Sequence, residues 1–188
     1  MKFLLIVSDN PSGGLSAIKS ISGEGDVLVS AALGTEKLNG SLKKCLDSGA
    51  SEAYRIMDGD FLGSDTWAVS RIYAAFVEEF ASDADLIIFD GYSSAVPSLA
   101  HLIQAQQFCY VTEIKRKDGR ISAVQDYGDE KRECAVPKKS VLALVKNDTE
   151  PNVSAEDGRI KVLSRCDIGL AEYSVGAKGS KITVSEEI

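Results

Sequence analysis

The sequence is poor in the residues that build most catalytic and metal centres. A single histidine, His101, stands among 188 residues, and the four cysteines, Cys45, Cys109, Cys134 and Cys166, lie far apart with no Cys-x-x-Cys pair. Neither a zinc site nor an iron–sulfur cluster finds its usual ligand spacing, so reduced and mostly buried thiols are expected. His101, with no serine or cysteine nucleophile motif to serve, reads as a surface or hydrogen-bonded side chain. The Walker lysine loop, the G-x-G-x-x-G fingerprint, the G-x-S-x-G elbow and the H-E-x-x-H helix are all missing, which argues against the hydrolases and dehydrogenases built on them. Basic residues are in deficit, 21 Lys and Arg against 28 Asp and Glu for a net charge of -7. A nucleic-acid surface needs clustered cations, so none is expected. No apolar run approaches the roughly 20 residues that cross a bilayer. The opening MKFLLIV is too short for a signal-peptide core and no small-residue cleavage site follows it. These absences point to a soluble, cytoplasmic protein whose partners are proteins or small molecules.

What remains is ordinary globular material, 44% hydrophobic and 26% charged, long enough for one full core. The stretch from Gly49 to Ser94 organises it: a strand over Glu52 to Ile56, a helix from Ser64, a strand over Leu86 to Phe89, then a Gly-Tyr-Ser-Ser loop. Val69, Ile72, Tyr73, Phe76 and Phe80 recur at the spacing of one helical face. Ser64 is the expected N-cap, with Asp65 in the first turn facing the positive end of the macrodipole. Leu86-Ile87-Ile88-Phe89 shows no polar alternation, the pattern of a strand covered on both faces in a parallel sheet.

Lys2 to Val7 is a second continuous apolar strand, followed by the turn formers Ser8 to Gly14. A short helix over Leu15 to Ile21, a strand over Val27 to Ala31 and a helix carrying Leu38, Leu42, Cys45 and Leu46 come next, with Gly49 as its C′ glycine. After Ser94, Val96, Leu99, Ala100 and Ile103 mark a helix with Pro97 in its first turn. From Gln107 the period becomes two: strands over Phe108 to Lys115, Arg120 to Tyr127 and Arg132 to Val136 are joined by hairpin-type turns. Apolar strands over Ser140 to Val145 and Ile160 to Leu163 follow, with a polar loop between them and a further terminal strand expected at Ile182 to Val184. The fold class is therefore α/β, a mainly parallel sheet with helices on both faces, extended by an antiparallel meander. Residues 1–166 are read as the domain and 167–188 as a docking tail, because its apolar side chains are too few for a core of their own.

Ligands in such sheets sit beyond the carboxyl ends of the strands, which singles out Ser8 to Gly14, Leu33 to Thr35 and Asp90 to Ser94. Small and hydroxyl residues there let backbone amides approach a nucleotide phosphate. Tight turns ask for the same residues without any ligand. The acidic pairs Asp83/Asp85 and Glu78/Glu79 read as solvated surface at a helix end rather than as a glycosidase pair.

Taken in order, MKFLLIV, GDVLVSAALGTEKLNGSLKKCLDSGASEAYRIMD, GSDTWAVSRIYAAF, ADLIIF, the Glu150-Pro151 loop and IKVLSRCDIGLAEYSVGAKGS resemble the beta subunit of electron transfer flavoproteins, the family that includes the FixA proteins. The resemblance covers nearly the whole chain. It implies an adenine nucleotide alpha hydrolase-like fold and a heterodimer with an alpha-like subunit that carries most of a shared FAD site, or a homodimer when that subunit is absent. It also implies an AMP or second FAD within the beta subunit itself. By position, Ile6, Leu33 and the loop of Asp90, Gly91, Tyr92, Ser93 and Ser94 are the implied nucleotide contacts, and Ser8 and Gly34 of the strand-end loops complete the candidate set. Three departures stand out: the phosphate loop is shortened to DGYSSAVP, the segment between the first two strands is reduced to PSGGLSAIKSISGEG, and the loop that docks a dehydrogenase is shrunken. They leave room for two further readings, a non-redox adenine-nucleotide or regulatory module, and a structural partner whose site has been lost.

Overall fold

The computed structural model describes residues 1–145 and 157–181; the Glu150-Pro151 loop and the expected strand at Ile182 to Val184 lie outside them. Among the described residues nine strands form one sheet: β1 (Lys2–Ile6), β2 (Val27–Leu33), β3 (Glu52–Ile56), β4 (Leu86–Phe89), β5 (Gln106–Lys117), β6 (Arg120–Asp126), β7 (Lys131–Val136), β8 (Ser140–Leu144) and β9 (Ile160–Leu163). Their order is β7-β6-β5-β8-β4-β1-β2-β3-β9. From β5 through β8 to β9 every neighbour is parallel, and β6 and β7 add antiparallel strands beyond β5. The meander is thus a continuation of the main sheet, as the α/β reading requires.

The helices α1 (Ser12–Ile21), α2 (Asn39–Asp47), α3 (Thr66–Phe80) and α4 (Ala95–Leu102) divide between the two faces. Alternation along β1 shows why: Leu4 and Ile6 join a core with Ile72, Tyr73 and Phe76 of α3 and Val96 and Leu99 of α4. Phe3, Leu5 and Val7 join another with Ile18 and Ile21 of α1 and Leu42 and Cys45 of α2. Successive side chains of a strand point to opposite faces, so a strand buried on both sides must be apolar throughout. Gly49, at φ 101°, closes α2 as expected. Its amide donates to the Leu46 carbonyl and that of Ala50 to the Cys45 carbonyl, the two bonds of a Schellman ending.

Two expectations are corrected. The N-cap of α3 is Asp65, whose carboxylate accepts from the Ala68 amide at 2.8 Å; a charged acceptor at the positive end of a helix outcompetes a neighbouring hydroxyl. Ser64 is used elsewhere, accepting from the Gly176 amide at 2.9 Å. That bond belongs to the second correction. The segment after Asp167 was expected to need a foreign surface for its apolar side chains, yet Ile168 and Val175 are buried in this chain's own core and Leu170 packs against it. Ser180 Oγ donates to the Gly63 carbonyl and accepts from the Asp65 amide, and the Lys181 amide donates to the Asp65 carboxylate. Among the described residues of this segment Tyr173, 77% exposed, is the large apolar side chain left in solvent.

Candidate functional site

The site follows from where the chain changes direction across the sheet. From β1 it winds outward through β2 to β3, then crosses back by α3 to place β4 on the other side of β1. A crevice opens at such a switch point, beyond the carboxyl ends of the two strands. Here Ile6 pairs with Phe89, the Asp90 amide donates to the Ile6 carbonyl, and the loops after both strands enclose a cavity of about 320 Å³. Its lining includes Ile6, Ser8, Asp90, Gly91, Tyr92 and Ser93 of the expected set, with Val7, Asp9, Tyr73 and Phe89 besides. Leu33 and Gly34, at the end of β2, do not line it. Nor does Ser94, whose hydroxyl lies 3.1 Å from that of Thr66.

Asp90 ties the crevice together. Its side chain is buried and accepts from the Ser8 amide at 2.9 Å and the Ser8 hydroxyl at 3.0 Å. Glycine at position 14 lets α1 come close behind it: a Cβ there would lie 2.5 Å from Leu5 Cδ1 and 3.3 Å from Asp90 Cβ. The carboxylate is felt on both faces of the sheet. Burial pushes the Cys45 thiol up to about 12, with Asp90 adding to the rise and a Ser30 hydrogen bond opposing it. Burial, with Asp90 again adding, likewise raises the Tyr73 phenol. Both groups therefore stay protonated at neutral pH, and Cys45 is no thiolate nucleophile. Tyr73 packs edge-on against Phe89 at 5.4 Å between ring centroids. The sequence gives Tyr73 as a residue of a buried helix face, and nothing in its spacing shows that this face reaches the crevice.

The residues suit one part of a nucleotide better than another. A phosphate at the start of α4 would need the first amides of that helix, but the Ala95 amide already donates to Ser93 Oγ at 3.3 Å and the Val96 amide to the Ser93 carbonyl at 3.2 Å. Pro97 has no amide hydrogen to offer, and the Ser8 amide is held by Asp90. A buried carboxylate also repels a second anion. A neutral ring and its hydroxyl-bearing sugar meet the Ser8 and Ser93 hydroxyls and the Tyr92 ring without those costs. Among the described residues no cluster of His, Cys, Asp and Glu is placed to hold a metal ion, and no helix is long and apolar enough to cross a membrane.

A family model described as the electron transfer flavoprotein domain matches residues 16–166. The chain is similar to "Caffeyl-CoA reductase-Etf complex subunit CarD" of Acetobacterium woodii, 27% identical over 95% of this chain and 74% of that protein. It is similar to "Electron transfer flavoprotein subunit beta" of Methylophilus methylotrophus, 28% identical over 87% of this chain and 67% of that one. "Protein FixA" of Azotobacter vinelandii is 26% identical over 86% of this chain and 64% of its own length. The chain thus spans about two thirds to three quarters of the length of these relatives.

Proposed function

The chain belongs to the electron transfer flavoprotein domain family, and from that premise we propose that it works as a beta-like subunit beside a flavin-carrying alpha-like subunit. The observation that carries this reading is the family match over residues 16–166, and the crevice at the β1/β4 switch point offers the nucleotide a place. In this role the chain is a partner in electron transfer, working in the cytoplasm.

When bound, the FAD shared with the alpha-like subunit supplies the electron-carrying ring system. This chain's residues contribute around it by position and packing. Ser8, Ser93 and Tyr92 face the part of a nucleotide that enters the crevice, be it AMP or the adenosine end of a flavin, while Asp90 fixes the β1 loop through Ser8. Charged phosphates would lie toward solvent, away from Asp90. Leu33, Gly34 and Ser94 shape the neighbouring strand ends. The docking role of residues 167–188 rests on Tyr173 and, on the loop to which that segment is bonded, Leu62, both largely exposed. Without the alpha-like subunit the same surface would pair two copies of the chain.

Isothermal calorimetry of the full chain, alone and with an alpha-like subunit, tests the nucleotide part of the proposal. Binding of AMP or FAD is the expected result. Complex formation with no nucleotide or flavin bound would reduce the chain to a structural subunit.

A further inference from the structure

Beside the crevice three exposed tyrosines from three different segments meet. Tyr92, in the loop after β4, stacks on Tyr110 of β5 with 5.8 Å between centroids and 20° between planes. Tyr110 meets Tyr127, just after β6, at 5.7 Å and 64°. They are 63%, 45% and 48% exposed, so burial of apolar surface explains little of the arrangement.

Tyr110 is also held against its own preference. Its φ is 57°, the left-handed region that a bulky residue rarely occupies. The register of β5 shifts across it, between Phe108 and Val111 against β8, and again just beyond it, between Val111 and Glu113 against β6. A buried glutamine pins this bulge: Gln125 Nε2 donates to the Cys109 carbonyl at 2.8 Å, and its Oε1 accepts from the Cys134 thiol at 3.6 Å. Strain kept in place by a dedicated buried amide, with an aromatic ring turned outward as its product, is what a binding surface requires and what a core does not.

Tyr92 both lines the crevice cavity and ends the ladder. Tyr110 covers one face of its ring, and the remaining exposure leaves the other face open. We infer that the open face of Tyr92 stacks against the adenine ring of a bound nucleotide, while Tyr110 and Tyr127 hold the plane of Tyr92 from behind. This rests on the nucleotide reading of the crevice and adds the residue that selects a ring. A neutral planar ring is favoured over an anion because the nearest buried charge is the Asp90 carboxylate and the first amides of α4 are engaged.

Titration of the full chain, with and without an alpha-like subunit, separates the outcomes; FMN and FAD are followed by fluorescence quenching, and AMP and inorganic phosphate by calorimetry. Tyr92→Ala is expected to weaken nucleotide binding roughly 5- to 100-fold and Tyr92→Phe to leave it nearly unchanged. Tyr110→Gly is expected to weaken binding without lowering the melting temperature, because glycine accepts the left-handed backbone. Binding of AMP but not FMN is the expected result; FMN bound and quenched with no binding of AMP would overturn the stacking on adenine. Wild-type affinity in Tyr92→Ala would overturn the stacking and leave the nucleotide site standing. Binding of phosphate alone would overturn it, and so would loss of a protein partner in Tyr92→Ala with unchanged nucleotide affinity. Absence of all nucleotide binding to the wild-type chain and its complex would overturn both readings.

Discussion

Two aspartates show how single residues set the conditions for the rest. Burial alone would raise the Asp26 carboxyl; hydrogen bonds from the Met1 ammonium, the Gly23 amide and the Arg116 guanidinium outweigh it and lower the group to about 2. A carboxyl held below its unfolded value stabilises the fold fully above the unfolded pKa and loses that contribution as pH falls through the folded one. The stability contributed by Asp26 should therefore be intact above about pH 4 and decline toward pH 2. Urea denaturation across that range should show an acid limb that is weaker in Asp26→Asn. Asp90 serves the crevice rather than the rim of the sheet. Asp90→Asn leaves an amide where the carboxylate takes two hydrogen bonds from Ser8, and a loss of about 1–3 kcal/mol in the same assay is expected. An unchanged midpoint would mean that the Ser8 loop is held by other contacts.

At the scale of elements, the parallel core was open to reading from the sequence, because strands buried on both faces have no alternative to continuous apolar runs. Lys2–Ile6, Leu86–Phe89 and Ser140–Leu144 fall where those runs predict. The face of α3 was readable for the same reason, through Ile72, Tyr73 and Phe76. What stayed hidden depends on partners distant in the chain. Ser64, which the local pattern offers as the cap of α3, is engaged instead by the amide of Gly176, 112 residues away. The Ser8–Asp90 bonds span 82 residues, and the outward turn of Tyr110 rests on Gln125; no local pattern carries either. The stitching of the last described segment gives a prediction of its own. A Cβ on Gly176 would lie 2.2 Å from the Asp60 carbonyl oxygen, at a φ of 60°. Gly176→Ala should cost on the order of 1–3 kcal/mol and expose the segment beyond it to proteolysis. Resistance equal to that of the wild type would show that the clamp is dispensable. Because Ile168 and Val175 belong to the core, deleting everything after Asp167 should destabilise the fold. The cleaner probe of docking is Tyr173→Ala, expected to leave the denaturation midpoint in place and weaken association with an alpha-like subunit, as read by sedimentation velocity.

For the whole molecule, a sheet with two covered faces places its one switch-point crevice between β1 and β4, and the family match puts a flavoprotein subunit's fold around it. Among the described residues no cluster of His, Cys, Asp and Glu is placed to hold a metal ion. The most direct test is to co-express it with an alpha-like subunit, purify the complex by a tag on this chain, and record the absorption spectrum and flavin content. A stable heterodimer with flavin bands, bleached on reduction, is the expected result. A complex that never forms, or one that purifies without flavin after reconstitution with excess FAD, would contradict the assignment as an electron transfer subunit.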